Sequence, residues 1–460
     1  MLHRIALCSV LIFSAQSVMA LNFGRMQPNE VSVYVQNLTT GKVIESHRAD
    51  AAMNPASTMK LVTTFAALRA LGPDYRWVTP WQSPAAVVSG SLEGDIYWVG
   101  SGNPVLDQND LLDMQAQLRE RGINKIKGQL VLDRSRWNNQ GSAHGFDGDS
   151  EEAFSTEPDP HMLAYKVVWA KPERNILGDV VVNTNPPLPG IEQSNTLSIR
   201  NSSRAACTSL KNFMNAQYQN GSLMFSGSLP ESCLGQEMFI NMLEMQDFAS
   251  KSFINHWRDK GGEIQNGYKV GKLPERSVTL AINRSKPLAE VMADMNKNSN
   301  NVIARSVFLT LGEHFSNNQT QYNATAEVRR QLVEAGLDDE ALVLENGSGL
   351  SRRERMSARM MGEMLKKTYQ SPFKQAFIDS LPIAGTDGTL KSRFKQVGTA
   401  LRLKTGTLKN VRALAGYWLP ENKQQHPLAL VVLVNSERSG MYLPDLDKLV
   451  VGILQDAELQ

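Results

Sequence analysis

Cysteine is scarce in this 460-residue chain: there are three, Cys8, Cys207 and Cys233. No cysteine cluster or His-Glu-x-x-His segment offers a metal site, so neither metal nor cofactor is expected. Excess charge of one sign is also missing. Forty-eight basic residues face 46 acidic ones, for a net charge of +2, and they are mixed along the chain without a polybasic run. That argues against nucleic acid as a partner. There is no internal repeat and no low-complexity segment. The apolar stretch from Ile5 to Ala15 is shorter than the roughly 20 residues a membrane span needs. The C-terminal "LDKLVVGILQDAELQ" is too short for an amphipathic anchor and reads as a helix packing on a sheet. At most loose membrane association is therefore expected.

Hydrophobic residues make up 42% of the chain, enough for substantial cores. At about 100–200 residues per domain, the length suggests two or three domains. "MLHRIALCSVLIFSAQSVMA" has the positive start, short apolar middle and small-residue end of an export signal, with Val18 and Ala20 at the cleavage positions. The expectation is residues 1–20 as signal peptide, cleavage near Ala20 and a periplasmic product; an uncleaved anchor is the alternative. Cys207 and Cys233 then stay in the mature chain. An exported pair reads as a disulfide, with two free thiols as the alternative. Closing that loop would contribute on the order of 3 kcal/mol.

"VSVYVQNLTTGKVIESH" (31–47) predicts a hairpin, and "NPASTMKLVTTFAALRAL" (54–71) a helix. Asn54 can cap that helix, Pro55 suits its start, and Gly72 and Pro73 end it. From 77 to 276 short strands alternate with Gly, Asn and Pro turns, which predicts a β-rich insertion of two small domains. Helices then return, followed by three strands, "LRLKTGTL", "VRALAGYWL" and "LALVVLVN", and a last helix from about Leu443. The fold class expected is α/β: an antiparallel sheet flanked by helices, from 21–76 and 277–460, split by the inserted region 77–276.

Ser57 and Lys60 stand at i and i+3, on one face of a helix that is apolar on nearly every side. A serine hydroxyl needs a base, and a lysine can serve if burial and a nearby cation lower its pKa. Alone the spacing says little, because Ser371–Lys374 and Ser392–Lys395 repeat it. Two triplets add weight. Ser299-Asn300-Asn301 interrupts two apolar helical patterns, where a polar turn could face a cleft; a second copy, Ser316 to Asn318, reads as plain loop. Lys404-Thr405-Gly406 occurs once, on a predicted strand, and a strand glycine often marks close approach of another backbone or a ligand. In the order Ser-x-x-Lys, Ser-x-Asn, Lys-Thr-Gly these match the motif set of penicillin-binding proteins and serine β-lactamases.

The sequence resembles the class C low-molecular-mass penicillin-binding proteins, the D-alanyl-D-alanine carboxypeptidase/endopeptidases. "NPASTMKL", "MNKNSNNVIAR", "ENGSGLSR", "AGTDGTL" and "LKTGT" carry the resemblance, which covers most of the mature chain. The 242 positions from Ser57 to Ser299 (299 − 57) fit a family with inserted domains and not a typical β-lactamase. Asn300 departs from the Asp of many relatives. The resemblance implies peptidoglycan stem peptides as substrate and β-lactam antibiotics as covalent inhibitors. Ser57 would be the nucleophile, Lys60 its base, and Ser299 with Lys404 a proton relay to the leaving D-alanine. Lys404 and Thr405 would hold the terminal carboxylate, Asn301 the peptide amide, and the N–H groups of Ser57 and Thr407 the oxyanion. Asp149, in "FDGDSEEAFS", would face the amine of the stem, although Asp147, Glu151 and Glu152 beside it allow a solvated acidic loop instead. Gly347 and Gly349 are expected to serve turns, in a stretch that the resemblance brings near the cleft. A β-lactamase and a non-catalytic wall-binding protein are the competing functions.

Overall fold

The computed structural model describes residues 21–458 except 139–145, 147–154, 186–187, 189–190, 201–205, 220, 242, 314–318 and 338–339. The segment read as a signal peptide lies outside the described residues, as do Asp149, its acidic neighbours and the Ser316–Asn318 triplet.

Both ends of the described chain build one sheet. Its five strands run in the order Leu401–Leu408, Val411–Trp418, Leu428–Asn435, Val31–Asn37, Val43–His47. Every neighbouring pair is antiparallel, and the first strand of the chain meets the last, Val31 opposite Val434. The Leu428–Asn435 strand is buried from Leu428 to Val434 because both of its faces are covered. Ala429, Val431 and Leu433 face the helix Ala358–Tyr369, in a core that also takes in the helices Lys60–Leu71, Leu288–Lys297 and Asn301–Leu311. Leu430, Val432 and Val434 face the C-terminal helix Leu443–Glu458 through Leu446, Leu449, Val450 and Ile453. Alternate side chains of a strand point to opposite faces, so a continuous apolar run is what a sheet between two helical layers requires. The α/β expectation, an antiparallel sheet flanked by helices, holds.

The helix at Lys60 answers for its unusual composition in the same way. Every residue from Lys60 to Leu68 is buried, so no face of its first two turns meets water. Asn54 is not the cap expected of it: its Oδ1 accepts the Ala56 N–H at 2.9 Å in the turn ahead of the helix, whose first turn is a 3-10 turn, Ala56–Met59, with Pro55 at its N-cap position and no side-chain cap bond.

A second core spans Trp81 to Ala281, with Val302 beyond it, and includes Trp98, Phe248 and Trp257. It sits on a five-stranded sheet ordered Tyr268–Val270, Leu130–Asp133, Ile96–Val99, Val78–Ser83, Val278–Arg284. Three three-stranded sheets, of Val168–Arg174, Val180–Asn185 and Met238–Ile240, of Glu192–Arg200, Met214–Gln219 and Ser222–Pro230, and of the short Val87–Val88, Ser91–Leu92 and Lys125–Ile126, complete its β-rich texture. The Val278–Arg284 strand pairs antiparallel with Val78–Ser83, so this sheet reaches past the boundary expected at 276. Cys207 and Cys233 are joined by a disulfide within this part of the chain.

Candidate active site

Three segments far apart in sequence meet at the edge of the first sheet. The 3-10 turn carrying Ser57 leads into the buried Lys60 helix. The Leu401–Leu408 edge strand runs beside that turn: a Cβ on Gly406 would lie 2.7 Å from the Pro55 carbonyl oxygen and 3.2 Å from the Ala56 Cβ. The glycine is therefore required by close approach, as its place on a strand suggests. The third segment is the turn between the Leu288–Lys297 and Asn301–Leu311 helices. Ser299 forms it with φ +54, a left-handed conformation uncommon outside glycine. Asn300 caps the following helix, its Oδ1 accepting the Ile303 N–H at 3.0 Å. Aspartate caps equally well, which gives the departure at position 300 a benign physical reading.

Lys60 Nζ lies 3.1 Å from Ser57 Oγ, 2.6 Å from Asn301 Oδ1 and 2.5 Å from the Ser348 carbonyl oxygen. The side chain is fully buried. Burial first, and then the Lys404 cation, push its amine well below the usual lysine range, with Glu354 opposing. A neutral amine has two N–H groups on Nζ. Asn301 and Ser348 can accept both, which leaves the nitrogen lone pair for the Ser57 hydroxyl proton.

Lys404 Nζ donates to Ser299 Oγ at 2.9 Å and to the Thr405 carbonyl at 2.7 Å. It too is fully buried, and burial lowers its pKa to about 7. Thr405 Oγ1 donates to Thr389 Oγ1 at 2.8 Å, which ties the strand to the "AGTDGTL" stretch. That stretch is held in turn by the Lys297–Asp387 ion pair at 2.5 Å. Thr407, next along the strand, is exposed. The structure thus brings Ser57, Lys60, Ser299, Asn301, Lys404, Thr405 and Gly406 into one cluster. Asp149 lies outside the described residues. Of the other Ser-x-x-Lys pairs, Ser371 donates to the Thr368 carbonyl at 2.7 Å and Lys374 stacks on Tyr369, so that pair is structural.

The "ENGSGLSR" stretch contributes more than turns. Gly349, at φ +81, passes so close to the Ser57 turn that a Cβ would lie 2.0 Å from the Ala56 oxygen and 2.7 Å from the Ser57 nitrogen. Ala56 is itself left-handed, φ +46, so strained backbone sits beside the serine. Leu350 packs with Phe146 and Leu408, and the Arg352 guanidinium lies 4.7 Å over the Phe146 ring. Sequence reasoning did not single out Ser348, Thr389, Phe146 or Arg352, although the quoted stretches hold all four.

Among the described residues no helix is long and apolar enough to cross a membrane. The family model of the D-Ala-D-Ala carboxypeptidase 3 (S13) family matches residues 15–456. The D-alanyl-D-alanine carboxypeptidase DacB of Haemophilus influenzae is 25% identical over 419 residues, covering 90% of this chain and 86% of its own. The D-alanyl-D-alanine carboxypeptidase of Actinomadura sp. strain R39 is 27% identical over 410 residues, covering 84% and 74%. The crystal structure of penicillin binding protein 4 (dacB) from H. influenzae superposes with a TM-score of 0.77 at 23% identity, over 92% of this chain and 96% of that one. The same protein, solved with a β-lactam, superposes with a TM-score of 0.74. With nearly its whole length matched, the chain belongs to the D-Ala-D-Ala carboxypeptidase 3 (S13) family.

Proposed function

We propose that this carboxypeptidase works through an acyl-enzyme on Ser57, in the periplasm, on the D-alanyl-D-alanine ends and cross-links of peptidoglycan stem peptides. The observation that carries the reading is the placement of Lys60 Nζ, 3.1 Å from Ser57 Oγ with acceptors on its other sides. Ser57 Oγ bonds to the carbonyl carbon of the penultimate D-alanine as Lys60 takes its proton. The C–N bond then breaks, and the proton passes through Ser299, held by Lys404, to the departing amine. The Lys404 cation and the Thr405 hydroxyl bind the terminal carboxylate, and Asn301 bonds the peptide amide. The Ser57 and Thr407 N–H groups hold the oxyanion, a contribution of about 3 kcal/mol per donor. Water, activated by the same base, releases the acyl group. A β-lactam, which carries a carboxylate beside a strained amide, enters the same steps as a covalent inhibitor. Asp149 is assigned to the stem amine. Residues 21–76 and 285–460 form the catalytic domain of this reading, with the region between them, closed by the Val278–Arg284 strand, inserted as two small domains.

Two assays test it. Ser57→Ala, folded by circular dichroism, is expected to lose both fluorescent-penicillin labelling and D-alanine release; residual labelling would move the nucleophile elsewhere. Incubation with monomeric and cross-linked muropeptides is expected to release D-alanine from the first and monomers from the second. Fast steady hydrolysis of nitrocefin would favour a β-lactamase instead.

A further inference from the structure

Glu354 is a fully buried carboxylate in a stretch, "SRRERM", that otherwise reads as solvated loop. Its Oε1 accepts three successive backbone N–H groups, of Glu345, Asn346 and Gly347, at 3.0, 3.0 and 3.2 Å. Its Oε2 is buried with no hydrogen-bond partner. The turn so gathered is stiffened from within: Asn346 Oδ1 accepts the Ser348 N–H and hydroxyl, and Asn346 Nδ2 donates to the Leu350 carbonyl. Two carbonyls of this turn then dock on one face of the Lys60 helix. Gly347 O accepts the Thr63 hydroxyl at 2.6 Å, and Ser348 O accepts Lys60 Nζ at 2.5 Å.

We infer that Glu354 is a positioning residue for the base: by holding the 345–347 turn, it aims the Ser348 carbonyl at Lys60 and so directs the amine lone pair toward Ser57. Two features distinguish this from ordinary loop packing. First, a single carboxylate oxygen serves three donors, a geometry that fixes a turn rather than filling space. Second, the carboxylate acts on Lys60 electrostatically, favouring its protonated form against Lys404. The charged neighbours of the pair are Lys404 on the edge strand, Glu345 at the start of the turn, and Arg355, whose guanidinium donates to the Glu354 carbonyl.

The inference rests on the assignment of Ser57 and Lys60 as nucleophile and base. The test is the second-order rate of fluorescent-penicillin acylation against pH, in purified full-length protein. Glu354→Gln keeps an acceptor for the three N–H groups and removes the negative charge. Lys60 then loses its proton at lower pH, so the acid limb of the profile is expected to move down by about half a unit or more. Glu354→Asp keeps the charge on a shorter arm. The turn loosens, and acylation is expected to fall about tenfold at every pH, with Tm lowered only modestly. A folded Glu354→Gln protein whose profile superimposes on wild type, or a folded Glu354→Asp protein with the wild-type rate, overturns the inference. So does failure of both variants to fold, which would make Glu354 a stability element. Ser57→Ala run in parallel separates the two claims: if it still labels, the assignment of the nucleophile has failed, not the role of Glu354.

Discussion

Lys404 Nζ donates to Ser299 Oγ across 105 positions of sequence, joining the edge strand to the inter-helix turn at 2.9 Å. Lys60, on a third element, feels the Lys404 charge as a force lowering its own pKa. The two amines are thus coupled: a charged Lys404 favours a neutral Lys60. That is the division of labour a serine hydrolase with two lysines needs, one cation to hold an anion and one free base.

The coupling sets an expected pH dependence of activity. Lys404, with a pKa of about 7, loses its cation as pH rises through that value, and with it the attraction for a substrate carboxylate. For a D-alanyl-D-alanine peptide, kcat/KM is expected to decline above about 7, since that quantity reports groups of the free enzyme. The limb in kcat should lie at higher pH, because a bound carboxylate favours the charged amine. Initial rates across pH 5–10 (about the accessible range) check this. A common limb in both parameters would take Lys404 out of carboxylate binding.

Lys404 also carries a stability signature. Its folded pKa of about 7 lies below the roughly 10.4 of an unfolded lysine. Between those values the unfolded chain binds more protons, so this group makes stability rise with pH across the window and leaves it flat below about 7. The difference over the window is on the order of a few kcal/mol. Lys404→Met removes the titrating group. The expected outcome is a Tm that climbs from pH 7 toward 10 more steeply in wild type than in the variant. Parallel slopes in thermal melts would show that the amine is solvated.

Gly349 is a sharper structural test. Its left-handed backbone and its contact with Ala56 and Ser57 leave no room for a methyl group, and the obstructing atoms are backbone. Gly349→Ala is expected to cost about 2 kcal/mol or more and to slow acylation at least about tenfold, because the displaced atoms carry Ser57, the proposed nucleophile. Gly398 also has positive φ, but a Cβ there meets nothing within 4 Å. Gly398→Ala therefore incurs backbone strain alone, and its acylation rate is expected to stay at wild type. Chemical denaturation and penicillin labelling of both variants separate strain from obstruction.

What was legible in the sequence is the chemistry carried by contiguous residues. Ser57 with Lys60, Ser299 with Asn301, and Lys404 to Gly406 each announce themselves within three or four positions, and short β-rich runs such as "LALVVLVN" revealed the strands of the first sheet. What was illegible depends on partners distant in sequence. Nothing local tells that the "VTLAINR" strand joins the sheet of Val78–Ser83 rather than that of Val31–Asn37. A glutamate flanked by arginines reads as surface, yet Glu354 is buried because three backbone N–H groups replace its water. The Ser348 carbonyl carries no sequence signal at all, since every residue has one.

The Cys207–Cys233 bridge offers a test of how independent the two cores are. It closes a loop of 26 positions inside the second core, where Cys233 is buried, and it touches no member of the Ser57 cluster. Replacing both cysteines with serine is expected to remove about 3 kcal/mol from the second core. Unequal stability should then appear as an early transition in calorimetry, with the melting of the first core little changed. Penicillin acylation at 25 °C is expected to stay within about twofold of wild type, because a bond that acts mainly on the unfolded chain leaves native geometry in place. One physical link could defeat this. Val302 follows Asn301 directly and packs into the second core, so loosening there has a short path to the Lys60 partner. An acylation rate that falls well beyond twofold, with the first core still folded, would show that the inserted region holds Asn301 in place.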